Sequence, residues 1–234
     1  MRINKFLAGA GIASRRNADK LVEEGRVKIN GKTVTTLGFE VNENNDTVTV
    51  DGIKAVYAAK YTYIMFNKPK GCVCSADDEY NRKTVFDYVE TDKRLFTVGR
   101  LDFDSEGLLL LTNDGDLTQR LTMPANEIPK TYLVKVEGEV FESDLARLRK
   151  GVPLDGVLTK RSKLKLKEFK NNIYSYEMTI FEGKNRQIRR MFEIVGKEVV
   201  FLKRIAVGDL RLGGLGRGKY RYLKDEEINY LKNL

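Results

Sequence analysis

Three carboxylates lie within five residues, just ahead of an apolar run. They are Asp102, Asp104 and Glu106 in the stretch GRLDFDSEGLLLL, where Arg100 adds a positive charge. A carboxylate on a turn before a buried strand is held rigidly and is partly desolvated, which suits a nucleophile or a general base. Acidic turns before strands are also common without catalysis, and Arg100 could serve only to neutralise one of them. The residues alone make Asp102 a candidate catalytic carboxylate, with Asp104 and Glu106 as alternatives.

The residue types that are absent narrow the chemistry. The sequence contains no histidine, which excludes histidine acid/base catalysis, Ser-His-Asp and Cys-His nucleophiles and most zinc hydrolases. The two cysteines, Cys72 and Cys74, are one residue apart. This spacing suits neither a disulfide framework nor the usual half of a zinc site. Catalysis would have to use Asp, Glu, Lys, Tyr, Ser, Thr or Cys.

A second candidate region is the most cationic part of the chain. Residues 182–221 contain eleven basic and four acidic residues. On a helix over 186–195, Arg186 and Arg190 share one face and apolar side chains form another. Arg189 then falls at the boundary between core and cleft, where a guanidinium could keep a carboxylate ionised.

Two glycine-containing stretches look like ligand loops but are better explained as turns. Residues 213–220 nearly match a phosphate-binding loop, yet Tyr220 replaces the hydroxyl residue that holds magnesium. The residues after it continue as a strand pattern and not as a helix. Residues 113–116 lack the downstream glutamate of a calcium loop, and we interpret them as a hairpin-type turn.

The elements that must position these groups follow a mixed pattern, α+β with a largely antiparallel or mixed sheet. Apolar periodicity predicts strands at 63–66, 108–112, 132–136 and 174–180, and helices at 143–150, 186–195 and 225–232. The alternating lysines of residues 163–167 predict an edge strand. These lysines either prevent aggregation or contact RNA.

The first fifty residues form a separate pattern. Ser14 suits the N-cap of a second short helix, Gly25 its end, and Asn30-Gly31 a tight hairpin. Residues 1–32 hold eight basic residues against three acidic. Such a face is either an RNA-binding surface or the solvated side of a small helical domain.

The composition points to a polyanionic partner. The chain has 234 residues, a formal net charge of +9 and a pI near 9.4. No apolar run approaches the ~20 residues that span a bilayer, and the N-terminus shows no signal-peptide core. We therefore expect a cytoplasmic protein without a membrane partner.

The order of residues 2–34, RINKFLAGAGIASRRNADKLVEEGRVKINGKTV, closely resembles the S4 domain of ribosomal and RNA-modifying proteins. The resemblance implies sequence-independent contacts with RNA phosphates. The residues implied are Arg2, Lys5, Arg15, Arg16, Arg26 and Lys28. We place an S4 domain at 1–55, a linker at 56–60 and a catalytic domain at 61–234.

The remaining motifs resemble the RsuA/RluB-like family of ribosomal RNA pseudouridine synthases. They are IMFNKPKG at 64–71, GRLDFDSEGLLLLTNDG at 99–115, KTYLVKV at 130–136, EGKNRQIRRMF at 182–192 and VVFLKR at 199–204. The resemblance implies that Asp102 is the catalytic aspartate, Tyr132 the active-site tyrosine and Arg189 the arginine that pairs with the aspartate. Substrate contacts are expected from Arg100, Leu101, Arg186, Gln187, Leu202 and Arg204.

The resemblance further implies isomerisation of an extruded ribosomal RNA uridine by a monomer that needs no cofactor. We favour the large-subunit RNA over the small-subunit RNA. A non-catalytic RNA-binding ribosome-assembly factor is the alternative, because a basic protein with an S4 domain needs no catalysis to be useful. An RNA nuclease or methyltransferase is disfavoured, since histidine and a convincing nucleotide-cofactor loop are missing.

Overall fold

A computed structural model describes residues 1–57, 61–75 and 78–234. These residues form two compact units. The first comprises Met1–Thr62 with Thr91–Arg94 and Asn113–Gly115, and the remaining chain forms the second. The predicted linker at 56–60 extends into residues 58–60, which lie outside the described residues, so the domain limits stay a prediction.

The first unit is a small α/β module with its own apolar core. Its elements are α1 (Ile3–Gly9), α2 (Arg15–Glu23), β1 (Val27–Ile29), β2 (Lys32–Thr33), β3 (Val48–Val50) and β4 (Ile53–Lys54). The strands form an antiparallel sheet in the order β2-β1-β3-β4. Ile3, Leu7 and Val22 of the helices are fully buried against this sheet's core residues.

Local sequence signals explain the turns of this unit. The Ser14 hydroxyl caps α2 by accepting a hydrogen bond from the Asn17 amide at 3.2 Å. Asn30 and Gly31 have φ of 50° and 80°, as a type I′ hairpin turn requires. The predicted cap and hairpin are therefore confirmed.

The second unit contains the remaining strands and helices. The strands are β5 (Tyr63–Lys68), β6 (Phe96–Thr97), β7 (Glu106–Thr112), β8 (Lys130–Glu137), β9 (Pro153–Leu154), β10 (Val157–Leu158), β11 (Lys163–Lys170), β12 (Ile173–Ile180), β13 (Val199–Val207), β14 (Leu210–Arg211) and β15 (Tyr220–Tyr222). The α-helices are α3 (Gly115–Thr122), α4 (Glu142–Lys150), α5 (Gln187–Glu193) and α6 (Asp225–Lys232), and short 3₁₀ helices lie at Val85–Tyr88 and Pro124–Asn126. No helix in the described part of the chain is long and apolar enough to cross a membrane.

One mixed sheet organises the second unit, in the order β11-β12-β8-β13-β7-β5-β15. β13 and β7 pair in parallel, whereas the other neighbours along this path are antiparallel. α4 and α5 supply core residues that pack with one face of the sheet. The predicted α+β class with a largely antiparallel mixed sheet is confirmed.

Of the local predictions, one needs correction and one is confirmed, and one strand was not predicted. The hairpin-type turn expected at 113–116 is wrong in its second half, because α3 begins at Gly115. The glycine-rich stretch at 213–220 leads into the strand β15, which confirms the prediction that no helix follows it. β13 was not among the predicted strands, although it is one of the longest in the sheet.

Candidate active site

The loop that carries Asp102 connects β6 and β7. Every residue of β7 is buried, so the strand forms a rigid support for the end of this loop. Asp102 is half-buried, whereas its neighbour Leu101 is buried. Asp102 thus has the restrained, partly desolvated position that its sequence context predicts.

A buried lysine fixes the backbone of this loop. Lys68, at the end of β5, is fully buried, and its ammonium group donates to the Asp102 and Ser105 carbonyls at 3.0 Å each. It also donates to the carbonyl of Pro69 at 3.1 Å. Burial lowers the pKa of Lys68 from its ordinary value. The three carbonyl dipoles stabilise the charged amine and hold the turn after Asp102 in one conformation.

The residue before Asp102 is held from another direction. The Leu101 amide donates to the Cys74 sulfur at 3.4 Å, and the thiol donates back to the Leu101 carbonyl at 3.3 Å. Burial raises the pKa of the Cys74 thiol. This cysteine therefore fixes the loop as a neutral hydrogen-bonding group.

A cavity of about 320 Å³ opens beside Asp102. Its wall combines apolar or aromatic surface with several cations. The apolar part includes Leu101, Tyr132, Ile180, Ile188 and Leu202, and the cationic part Arg100, Lys130, Lys184, Arg186 and Arg204. A carboxylate beside an aromatic ring inside a cationic wall suits an anionic substrate with a planar group.

The geometry discriminates among the three candidate acids. Asp102 lines the cavity, and neither alternative is among the residues described there. Asp104 instead forms ion pairs with Arg186 at 3.3 Å and Arg189 at 3.2 Å. Glu106 is buried and pairs with Arg217 at 3.2 Å. Among the three, Asp102 is the carboxylate available to a molecule in the cavity.

The expected pairing of Arg189 with Asp102 is not what the structure contains. Arg189 is buried, and its guanidinium binds the Asp104 carboxylate, the Asp104 carbonyl at 3.1 Å and the Val199 carbonyl at 2.7 Å. α5 aims this side chain at the turn two residues after Asp102. Arg189 thus ties the Asp102 loop to β13 and is not among the residues described around the cavity.

The residues predicted to contact the substrate all line the cavity, although some of them also form hydrogen bonds within the protein. Arg204 is buried, donates to the Leu108 carbonyl at 2.7 Å and is paired in register with Tyr132. Gln187 is also buried and donates to the Glu182 carboxylate at 2.7 Å. Arg100 and Arg186 are exposed at the rim. Arg204 and Gln187 therefore shape the cavity wall, while the two exposed arginines can reach a larger ligand.

The sequence analysis missed two lysines on the cavity wall. Lys130 and Tyr132 are two residues apart on β8 and therefore face the same side, a period that could have identified Lys130. Burial, with a further contribution from the charge of Arg204, lowers the pKa of Lys130 to about 8. Lys184 lies just before α5 and faces the same cavity.

The first unit presents the expected basic surface. Arg2, Arg15, Arg16 and Lys28 are exposed, and Lys5 is half-buried. Arg26 is different, because its guanidinium binds Asp51 at 3.0 and 3.2 Å and Glu24 at 3.2 Å. These carboxylates raise the pKa of Arg26 and compete with any phosphate for its charge.

Comparisons with known proteins agree with this architecture. Residues 62–194 match the RNA pseudouridylate synthase family, and residues 1–48 match the S4 domain. The chain is 42% identical to the ribosomal large subunit pseudouridine synthase B of Bacillus subtilis, over 100% of this chain and 96% of the relative. It is 39% identical to the dual-specificity RNA pseudouridine synthase RluF of Escherichia coli, over 97% of this chain and 77% of the relative.

A solved structure extends the similarity to three dimensions. A crystal structure of a pseudouridylate synthase superposes with a TM-score of 0.71 at 36% identity, covering 99% of each chain. The chain therefore belongs to the RNA pseudouridylate synthase family: it is a pseudouridine synthase, an isomerase, with an S4 domain in residues 1–48.

Proposed function

We propose that this enzyme converts a uridine of the large ribosomal RNA to pseudouridine, with Asp102 as its essential carboxylate. The observation that carries the proposal is the position of Asp102 on the wall of the cationic cavity, beside Tyr132. The relative from Bacillus subtilis is named for the large ribosomal subunit, which supports that RNA as the substrate. Action as a monomer in the cytoplasm stays a prediction.

The proposed reaction is an isomerisation and is balanced within the nucleotide. The bond between N1 and C1′ breaks, the base turns in place and C5 bonds to C1′. The proton leaves C5, and N1 ends with a proton. The Asp102 carboxylate starts the reaction either by attacking C1′ or by taking the 2′ proton on the way to a glycal. Both routes need the ionised carboxylate.

The residues around Asp102 fit the remaining tasks. Tyr132 has its ring on the cavity wall, where it can stack on the turned base and assist loss of the C5 proton. Extruding a uridine from folded RNA costs roughly a few kcal/mol of unstacking. Arg100, Arg186 and the basic loop at 211–221 can offset that cost by holding the backbone around the extruded nucleotide. We propose that Arg189 acts as a positioning residue through Asp104.

An Asp102→Asn variant tests this proposal. The amide keeps the size of the side chain but has neither a nucleophilic nor a basic oxygen, so pseudouridine formation is expected to fall below detection. Affinity for ribosomal RNA should stay within about twofold. The readout is pseudouridine mapping of both ribosomal RNAs from cells lacking the protein and supplied with the parent or the variant.

Asp104→Asn is the same-loop comparison. It removes a carboxylate that does not line the cavity, and Arg189 keeps its hydrogen bond to the Asp104 carbonyl. It is expected to retain at least a tenth of the parent's turnover. Turnover by Asp102→Asn within tenfold of the parent would exclude the assigned role. Pseudouridine made by the parent in the small-subunit RNA alone would overturn the choice of the large-subunit RNA.

A further inference from the structure

The sheet of the second unit has a face that the proposed reaction does not use. On β8, Tyr132, Val134 and Val136 point into the core, so Leu133 and Lys135 point to the opposite face. Residues paired across strands share a face, which places Lys203 of β13 beside Leu133 and Phe201 beside Lys135. We call this side of β11, β12, β8 and β13 the open sheet face.

The open sheet face is strongly basic. Its lysines are Lys135, Lys163, Lys165, Lys167, Lys170 and Lys203, and Lys70 reaches it from the loop after β5. Its acidic residues are Glu137, Glu168 and Glu177. Glu106 of the neighbouring β7 is paired in register with Lys203, but its carboxylate binds Arg217. Lys167 and Glu177 are the ion pair described on this face, at 3.7 Å. The excess of positive charge is therefore left without a described carboxylate partner.

Edge protection explains only part of this charge. Lysines on β11, at one end of the sheet path, prevent another strand from pairing with it. Lys135 and Lys203 lie on β8 and β13, which are paired on both sides, so they have no edge to protect. Edge protection therefore does not account for these two interior lysines.

Two details indicate an anionic, partly aromatic ligand. The ammonium groups of Lys70 and Lys135 both lie within 6 Å of the Phe201 ring centre, at 5.4 and 5.6 Å, which concentrates like charges around one aromatic side chain. A groove beside Lys135 is lined by Lys170, Asn171 and Ser175, which add a second cation, an amide and a hydroxyl, and by one carboxylate, that of Glu168. Phosphates would relieve the repulsion, and the ring offers a base a surface on which to stack.

We propose that the open sheet face is a second RNA-binding surface. It binds phosphates of the substrate RNA on the side of the sheet that does not carry the cavity. The inference rests on the proposed function, since it takes RNA as the substrate. Lys135 and Lys203 are its central contacts. The cavity beside Asp102 includes neither of them.

The test removes these two charges together, in Lys135→Gln/Lys203→Gln. Each phosphate contact contributes about 0.7–0.9 to the slope of log affinity against log salt concentration. Two lost contacts should therefore make that slope less negative by about 1.4–1.8. Binding of the full chain to a ribosomal RNA fragment is measured between about 50 and 200 mM KCl, the range over which such contacts dominate the salt dependence.

Matched variants make the result specific. Lys83→Gln/Lys150→Gln removes two exposed lysines elsewhere on the same unit and should leave the slope within about 0.5 of the parent's. Lys135→Arg/Lys203→Arg keeps the charge and should restore the parent's slope. Circular dichroism checks that each variant is folded.

The Gln pair is also tested for binding to phosphatidylserine vesicles. Three results would overturn the inference. They are a parental salt slope in the Gln pair, an equal change of slope in the control pair, and a Gln pair that loses vesicle binding while it binds RNA like the parent. Turnover of the parent is measured separately. A parent that makes no pseudouridine overturns the proposed function, whereas an unchanged slope in an active parent overturns only the second RNA surface.

Discussion

Asp102 owes its position to groups outside its own loop. Lys68 holds the carbonyls of residues 102 and 105, Cys74 holds residue 101, and Arg189 holds residue 104. These contacts come from β5, the segment after it and α5. The carboxylate is thus oriented by neighbours that are buried or half-buried, as a preorganised catalytic group requires.

Lys130 should give the reaction a pH dependence. Its pKa of about 8 means that the cavity loses one positive charge as the pH rises through that value. RNA phosphates are then bound less well, and kcat/KM, which reports the free enzyme, should fall with an inflection near pH 8. Rates from pH 6 to 10, on about half-unit steps, would show the fall in the parent and its absence in Lys130→Met.

Lys184→Met is the control, because it removes a neighbouring cation while Lys130 keeps its titration. The same inflection persisting in Lys130→Met would refute the assignment.

The stability of the protein should change with pH in the opposite direction to kcat/KM. The unfolded lysine keeps its proton up to about 10.5, so between about 8 and 10.5 the unfolded chain binds more protons and the free energy of unfolding rises with pH.

At this scale the sequence predicted which residues gather but not every partner. Asp102, Tyr132, Leu202 and Arg204 line one cavity, as their motifs imply. The resemblance implied Asp102 as the partner of Arg189, and this was wrong: Arg189 binds Asp104, which lies two residues further along the same loop. Burial of the Lys68 amine had no sequence signal, since lysine is rarely buried.

The cavity depends on the parallel pairing of β7 and β13. Gly107 of β7 is paired with Arg204 of β13 and has φ of +106°. A Cβ at position 107 would lie 2.2 Å from the Arg204 carbonyl oxygen and 2.8 Å from its amide nitrogen. These are backbone atoms of a strand that is also paired with β8, so they cannot move aside easily.

Gly107→Ala is therefore expected to destabilise the protein by about 2–6 kcal/mol, the sum of overpacking and backbone strain. Urea denaturation measures the loss. Gly115→Ala is the matched control, because no atom lies near its Cβ position and helix α3 begins there. The control should stay within about 1 kcal/mol of the parent. A Gly107→Ala protein as stable as that control would show that the two strands can separate without penalty.

Elements with strong local signals were predicted, and those that depend on tertiary pairing were not. The Asn30-Gly31 hairpin and the apolar run of β7 follow from turn chemistry and composition. β13 has an irregular register, with shifts at Val199/Phe201 and Arg204/Ala206, which obscure a period of two. α3 was hidden because residues 113–116 carry turn-forming side chains that also begin helices.

At the scale of the whole molecule, each compact unit has a core of its own. The core of the first unit uses residues between Ile3 and Ala55, and the large core of the second uses residues between Ile64 and Leu202. Among the described residues, neither core includes a residue of the other. The sequence predicted two domains from the change of pattern after residue 50, and the limits at 55 and 61 stay a prediction.

Deleting residues 1–55 should therefore leave the second unit folded. The deletion removes the basic residues of the S4 domain but none of the described cavity residues, so it should weaken RNA binding without abolishing turnover at high RNA concentration. Residues 91–94 and 113–115 group with the first unit, so their amides should exchange faster, while those of β7 and β8 stay protected. Hydrogen exchange, RNA titrations and pseudouridine formation would measure the three effects.

An insoluble fragment, or one whose β7 amides exchange freely, would mean that the two cores form a single folding unit and that the division at residue 55 is wrong.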